Sequence, residues 1–211
     1  MVKAAPGTAA IAAVTALVST LLTLTRQEDF AAVTAGFVPG VLSGTITAGP
    51  GMSLFPAWLT PLTATLVHSG FVHLGLNMVM LVYCGALVER ALGWRLLVLL
   101  YLVGAYAGAA GQWAQFPDSP VPMIGASGAI SAMIAAYSLL YADRPVPAIG
   151  PIPSRVVRIA WLAAAWIGIQ LLTGLAGLGG GPSIAIGAHI GGFIAGLVLT
   201  RPLLLWHYRR A

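Results

Sequence analysis

The chain has 211 residues, of which 59% are hydrophobic and 7% are charged. An ordinary soluble domain contains roughly 25% charged residues, so this composition excludes that class and indicates an all-α integral membrane protein. The net charge of +5 would suggest a nucleic-acid partner for a soluble domain. In this chain the basic residues are distributed as membrane topology determinants, so we expect no nucleic-acid partner.

Apolar windows of about 20 residues predict six transmembrane helices in one compact bundle. The expected ranges are 8–25, 70–90, 95–113, 127–142, 157–175 and 185–205. They leave no room for a second domain, so residues 1–211 are predicted to form a single membrane domain. The first window also has features of a signal peptide, but its apolar stretch exceeds the ~7–15 residues of a signal core, and we favour a retained helix.

In this six-helix arrangement, nine of the ten basic residues fall on one side of the membrane and only Arg26 falls on the other. Cytoplasmic loops carry an excess of Lys and Arg, so both termini are predicted to be cytoplasmic. The nine residues are Lys3, Arg90, Arg95, Arg144, Arg155, Arg158, Arg201, Arg209 and Arg210.

Residues 26–67 connect the first two predicted helices and are too polar and too interrupted to span the bilayer. Among their residues are the aromatic side chains of Phe37, Phe55 and Trp58 and four prolines. Aromatic residues are enriched at the membrane interface. We therefore expect a long outer loop that lies partly in the interface.

A serine lies among small residues at the predicted start of the fourth helix, where residues 125–129 read Gly-Ala-Ser-Gly-Ala. The prolines upstream cannot continue a helix, which places Ser127 in the first turn. The first N–H groups of a helix lack intrahelical partners and stabilise an anion. Two interpretations stay open at this point: a nucleophile beside half of an oxyanion hole, or the small-residue packing that is common in membrane helices.

Polar side chains also occupy the outer ends of the second and sixth predicted helices. His73 and Asn77 share one helix face because they are four residues apart, and His189 lies about one turn inside the sixth helix. His68 fits a structural role as well as a functional one. All even-numbered helices begin at the outer face, so these residues and Ser127 are expected at a similar depth, on the order of 5–10 Å.

This set contains what serine hydrolysis requires: a nucleophile, a base and oxyanion donors. No acidic residue is placed to orient His189, which favours a Ser–His dyad over a triad. A metal site is a further alternative, but no carboxylate or cysteine accompanies the histidines and the His-Glu-x-x-His motif is absent. We therefore expect no metal and no other cofactor. The histidines concerned are His68, His73 and His189.

Taken as a set, these motifs resemble those of the rhomboid intramembrane serine proteases. The resemblance extends from the second to the sixth predicted helix. In chain order the motifs are His68-x4-His73-x3-Asn77, Gly85-x3-Glu89-x3-Gly93, Gly125-Ala-Ser127-Gly128 and Ala188-His189-x2-Gly192-x3-Gly196.

The resemblance implies a six-helix rhomboid-like bundle in which Ser127 is the nucleophile and His189 the general base. It also implies that His73 and Asn77 join the Ser127 backbone N–H in the oxyanion hole. The remaining motif residues are expected to support the site, namely His68, Gly125 and Gly128.

This chain departs from some family members at two positions. Leu59 follows Trp58 where those members have an arginine, and Ser131 stands four residues after the serine where they have an aromatic residue. The first departure concerns the anchoring of residues 26–67. The second concerns what packs against the imidazole of His189.

The implied activity is an endopeptidase that hydrolyses peptide bonds in or near the transmembrane segments of membrane proteins. The expected location is the bacterial plasma (inner) membrane, with the site opening toward the outer face of the lipid bilayer. A carbonyl in an intact helix is already hydrogen-bonded, so substrates are expected to carry helix-weakening residues near the cut. The alternative is a catalytically inactive rhomboid-like membrane chaperone, or a small transporter built on the same bundle.

Overall fold

The computed structural model describes residues 5–47, 49, 53–141, 147–161, 164 and 185–209. In these ranges all secondary-structure elements longer than an isolated bridge are helices. Two isolated antiparallel bridges join Phe37 to Met123 and Ile149 to Ile152. The predicted all-helical membrane class is therefore confirmed for this part of the chain. The helices long and apolar enough to cross a membrane here are Pro6–Leu24, Phe71–Leu92, Trp94–Gln115 and Ile186–Arg209.

The helices are numbered here in chain order. The first half contains α1 (Pro6–Leu24), α2 (Glu28–Ala35), α3 (Pro39–Leu42), α4 (Thr60–Thr63) and a 3₁₀ turn at Ala64–Leu66. The next membrane helix is formed by α5 (Phe71–Met80), a π-helical turn at Leu81–Gly85 and α6 (Ala86–Leu92). The second half contains α7 (Trp94–Gln115), α8 (Ser127–Leu140), a helical stretch at residues 154–161 (α9) and α10 (Ile186–Arg209).

Five of the six predicted helices correspond to helices of the structure, with ends that differ by a few residues. The largest difference is at the end of α10, which continues to Arg209 instead of stopping at residue 205. Helix α8 ends at Leu140, before the expected residue 142. The predicted fifth helix at 157–175 overlaps α9, but most of that range lies outside the described residues. The six-helix count therefore stays a prediction.

The connection between α1 and α5 is more structured than the sequence analysis anticipated. Helix α2 begins with Glu28 and Asp29, whose negative charges favour a helix N-terminus. Phe37 is 2% exposed, which anchors the connection in the protein. Trp58 is exposed, but its carbonyl accepts a hydrogen bond from the Tyr106 hydroxyl on α7 at 2.9 Å. Whether this connection lies in the membrane interface stays a prediction.

Helix α8 lies at the centre of the bundle, where eleven of its fourteen residues are buried. Eight of its fourteen residues are alanine, glycine or serine, so the neighbouring helices can approach it closely. Its length is about 21 Å at 1.5 Å per residue, against a hydrocarbon core of about 30 Å. The start of α8 can therefore lie below the membrane surface, and Ser127 lies at that start.

Glu89 on α6 fixes the beginning of α1 against the rest of the bundle. Its carboxylate accepts hydrogen bonds from the Gly7 N–H at 2.9 Å, from the Thr8 N–H at 2.7 Å and from the Thr8 hydroxyl at 2.7 Å. The first N–H groups of a helix have no intrahelical partner, and the positive end of the helix dipole favours a carboxylate. Glu89 thus has a structural role as the acceptor at the start of α1.

Candidate active site

The segment before Ser127 is held in place by backbone contacts to the α1–α5 connection. Phe37 and Met123 exchange two backbone hydrogen bonds, at 3.0 and 2.8 Å, and the Gly125 N–H donates to the Ala64 carbonyl at 2.9 Å. Gly125 has a φ of +103°, a conformation that side chains with a Cβ rarely adopt. The segment therefore turns sharply into α8 and leaves Ser127 as its first residue.

Ser127 and His189 are in direct contact across the α8–α10 interface. His189 Nε2 lies 2.8 Å from Ser127 Oγ, and the two residues are 3% and 6% exposed. This distance is within the range that a base needs to take a proton from a nucleophilic hydroxyl. The two residues are 62 positions apart in the chain, so the fold is what brings them together.

Glycines on α10 allow this contact. A Cβ at Gly192 would collide with the carbonyl oxygen of Gly128, and a Cβ at Gly196 would collide with that of Ala132. Small residues at such positions let two membrane helices approach at backbone distance. Ser131 lies at the same interface, and a Cβ at Gly192 would be 3.4 Å from the Ser131 Cβ. A small side chain at position 131 therefore suits the close approach of these helices.

His73 presents a ring N–H toward the segment that precedes Ser127. The Ser69 backbone N–H donates to His73 Nδ1 at 3.4 Å, and the Ser69 hydroxyl lies 3.1 Å from the same nitrogen. A neutral imidazole that accepts at Nδ1 carries its proton on Nε2. The Nε2 edge lies 2.9 Å from where a Cβ on Gly125 would stand. The donor nitrogen thus faces the site, and a side chain at position 125 would block it.

Asn77 lies one turn after His73 on α5 and is fully buried. Its amide Nδ2 donates to the His73 carbonyl at 2.9 Å. An amide nitrogen carries two hydrogens, so one N–H is committed to this bond and the second remains available as a donor.

His68 is also fully buried and lies beneath the start of α8. The Ala126 backbone N–H lies 3.3 Å from His68 Nε2, and the rings of His68 and His73 meet edge to face with centroids 4.9 Å apart. The structure therefore brings together Ser127, His189, His73 and His68. Gly125 and Gly128 line the pocket beside Ser127.

Sequence reasoning missed Ser69 and Ser19, whose hydroxyls lie beside His73 Nδ1 and His68 Nδ1. Ser69 lies two residues before the start of α5, and Gly70 with a φ of +103° separates it from the helix. Its contact with His73 therefore depends on the turn into α5, which the spacing alone does not predict. Ser19 is a single serine in an apolar helix, 49 residues from His68. No sequence pattern connects those two residues.

Comparisons with known proteins show what the chain is similar to. A model of the Rhomboid domain matches residues 56–206, a range that contains Ser127 and His189 and extends from before α4 into the last turn of α10. The chain is 34% identical to Rhomboid protease GluP of Bacillus subtilis over 69% of this chain and 27% of that protein. It is 32% identical to RHOMBOID-like protein 4 of Arabidopsis thaliana over 68% of this chain and 34% of that protein.

A third relative is Rhomboid-type serine protease 2 of Emericella nidulans, which is 30% identical over 67% of this chain and 26% of that protein. The matched region thus corresponds to about a quarter to a third of the length of these curated relatives.

Proposed function

Because the chain belongs to the rhomboid family, we propose that it is an intramembrane serine endopeptidase that hydrolyses peptide bonds in or near transmembrane segments. The observation that carries the proposal is the 2.8 Å contact between His189 Nε2 and Ser127 Oγ inside the bundle. The printed names of two relatives, a rhomboid protease and a rhomboid-type serine protease, support the same reaction class.

In the proposed mechanism, Ser127 Oγ attacks the carbonyl carbon of the substrate while His189 Nε2 takes the hydroxyl proton. The tetrahedral intermediate collapses when the imidazolium returns that proton to the leaving nitrogen, which breaks the C–N bond and leaves an acyl-enzyme. Water then attacks the ester with His189 again acting as base. The products are a carboxylic acid and an amine, and Ser127 is regenerated.

The developing oxyanion would be stabilised by donors that are already oriented. The Ser127 N–H opens α8, so the positive end of the helix dipole acts in the same direction. His73 Nε2–H faces the segment before Ser127, and the second Asn77 N–H is the remaining candidate donor. Donors held in place before the reaction need no reorganisation when charge develops.

The substrates that this site suits are membrane proteins with a locally weakened helix. An intact helix keeps its carbonyls hydrogen-bonded, so a cleavable segment needs Gly, Pro or polar residues near the cut. A pocket beside Ser127 is lined mostly by small residues, which favours a small residue before the scissile bond. The lining includes Gly125, Gly128, Ala129 and Ala188.

The proposed membrane arrangement has six helices in one domain over residues 1–211, with both termini in the cytoplasm. It rests on the distribution of basic residues, which the positive-inside rule relates to the cytoplasmic side. The site would then open toward the outer face of a bacterial plasma membrane.

The proposal is tested by cleavage of a purified transmembrane substrate in liposomes. Ser127→Ala and His189→Ala are each expected to abolish nearly all cleavage, because the two residues act as a unit. Ser138→Ala is the matched control, since Ser138 on the same helix is buried and its hydroxyl donates only locally, to the Ala135 carbonyl at 2.7 Å. Substantial cleavage by folded Ser127→Ala would exclude Ser127 as the nucleophile, whereas a folded wild type that does not cleave would favour an inactive rhomboid-like chaperone or a transporter.

A further inference from the structure

His68 connects α1 to the peptide that precedes the proposed nucleophile. On one side of its ring, Ser19 Oγ on α1 lies 2.9 Å from Nδ1. On the other side, the Ala126 backbone N–H lies 3.3 Å from Nε2. Ser19 and His68 are both fully buried, so the protein must satisfy these polar groups itself.

The Leu66 carbonyl determines which nitrogen of His68 carries the proton. Ser19 Oγ lies 2.7 Å from this oxygen, and a carbonyl only accepts hydrogen bonds, so the single Ser19 hydroxyl hydrogen is directed there. Ser19 Oγ must then accept from His68 Nδ1–H. This leaves His68 Nε2 with a lone pair, which accepts from the Ala126 N–H.

The resulting chain of donors has one direction: Ala126 N–H to His68, His68 Nδ1–H to Ser19, and Ser19 hydroxyl to Leu66. The other neutral tautomer would place the Nε2 proton against the Ala126 N–H. The same conflict arises for a doubly protonated ring. One serine hydroxyl on α1 therefore selects the His68 tautomer that accepts from the Ala126 peptide.

The Ala126 peptide is next to the groups that the proposed reaction uses. Its nitrogen belongs to the peptide between Gly125 and Ala126, and the following N–H is that of Ser127. Ala126 is fully buried. If His68 Nε2 no longer accepts a hydrogen bond from the Ala126 N–H, solvent water cannot replace it. A rotation of this peptide would redirect both the Ser127 N–H and the Ser127 side chain.

We propose that Ser19 is a positioning residue of the Ser127 site, which acts through the His68 tautomer on the peptide that precedes the nucleophile. The inference rests on the proposed serine-protease function. It adds a residue of α1 to the apparatus that orients Ser127, although α1 lies before the matched Rhomboid domain at residues 56–206.

The first test is spectroscopic and needs no activity. Full-length protein labelled with ¹⁵N-histidine is expected to show a protonated Nδ1 and an unprotonated Nε2 for one ring that disappears in His68→Gln. In Ser19→Ala we expect the His68 ring to be a mixture of tautomers, with the proton no longer confined to Nδ1. A wild-type His68 protonated on Nε2, or a spectrum that Ser19→Ala leaves unchanged, would overturn the proposal.

The second test is the rate at which a fluorophosphonate modifies Ser127. Ser19→Ala is expected to lower this rate and kcat by about 10- to 100-fold with KM unchanged, as misorientation at a reacting group does. Ser19→Thr keeps a hydroxyl and is expected to restore most of the rate, and Ser138→Ala is the control that removes a buried serine hydroxyl elsewhere. The unfolding midpoint of each variant separates orientation from loss of fold.

The outcomes distinguish this inference from the function on which it rests. A wild type that is labelled at Ser127, with Ser19→Ala labelled equally fast, would overturn the role of Ser19 alone. A folded wild type that is not labelled at Ser127 would overturn the proposed function and this inference with it.

Discussion

At the scale of single residues, two neighbouring histidines carry their ring protons on opposite nitrogens. The Ser69 N–H at His73 Nδ1 leaves a proton on His73 Nε2, whereas the chain through Ser19 leaves a proton on His68 Nδ1. His73 is therefore a donor toward the site and His68 an acceptor from the backbone beneath it. His73 and His68 thus have opposite roles, donor and acceptor, because their hydrogen-bond partners differ.

Replacing His73 should mainly affect the transition state. His73→Ala is expected to lower kcat by roughly 10²–10³ with little change in KM, which is the typical effect of removing one oxyanion donor. Steady-state cleavage in liposomes measures both constants. His207→Ala, near the far end of α10, is the matched histidine control. A folded His73→Ala variant with wild-type kcat would exclude this residue from the proposed oxyanion hole.

Local sequence patterns were enough to predict the positions of Ser127 and His189 within their helices. Ser127 was placed at a helix start by the prolines before it, and His189 by its distance from the start of its helix. The tautomers and the roles of Ser69 and Ser19 could not be predicted, because they depend on the turn that precedes α5 and on contacts between segments up to 58 residues apart. A lone serine in an apolar helix carries no information about its partner.

At the scale of elements, the site depends on how closely α8 and α10 approach. The carbonyl of Gly128 occupies the space that a Cβ on Gly192 would need. This oxygen is part of the backbone of α8, so a larger residue at position 192 must move a helix and not a side chain. The contact between Ser127 and His189 would lengthen as a result.

Gly192→Ala is therefore expected to lower kcat about 100-fold, which is the effect of a misplacement of about 1 Å at a reacting centre. Overpacking should also lower the free energy of unfolding by about 1–3 kcal/mol. Cleavage assays and unfolding in micelles measure the two effects. Gly75→Ala on α5 is the control, because a Cβ at Gly75 meets no atom within 4 Å. Equal activity in Gly192→Ala and Gly75→Ala would show that the site does not depend on the close approach of α8 and α10.

The elements also show where sequence reasoning was less complete. Long apolar windows predicted α1, α5–α6, α7 and α10 because a bilayer sets their length. The short helices α2, α3 and α4 were not predicted, since they are stabilised by packing against the bundle rather than by their own hydrophobic length. Phe37, which lies between α2 and α3, holds this part of the connection on the bundle through its bridge to Met123, a residue distant in sequence.

At the scale of the whole molecule, the proposed topology places α8 and α10 with their starts at the outer face. A reporter inserted at Asp118, between α7 and α8, is expected on the outside, whereas a reporter fused after Ala211 is expected in the cytoplasm. Compartment-specific reporters measure this directly. The same compartment for both would contradict the six-helix arrangement, and a reversed result would place the site on the cytoplasmic side.

The central claim is that Ser127 is a nucleophile activated by His189 within the membrane bundle. The most direct measurement is labelling of the folded protein with a fluorophosphonate, followed by mass spectrometry of the modified residue. We expect one phosphonylated serine, Ser127, with labelling abolished in Ser127→Ala and strongly reduced in His189→Ala. Labelling of a different serine, or undiminished labelling of folded His189→Ala, would contradict it.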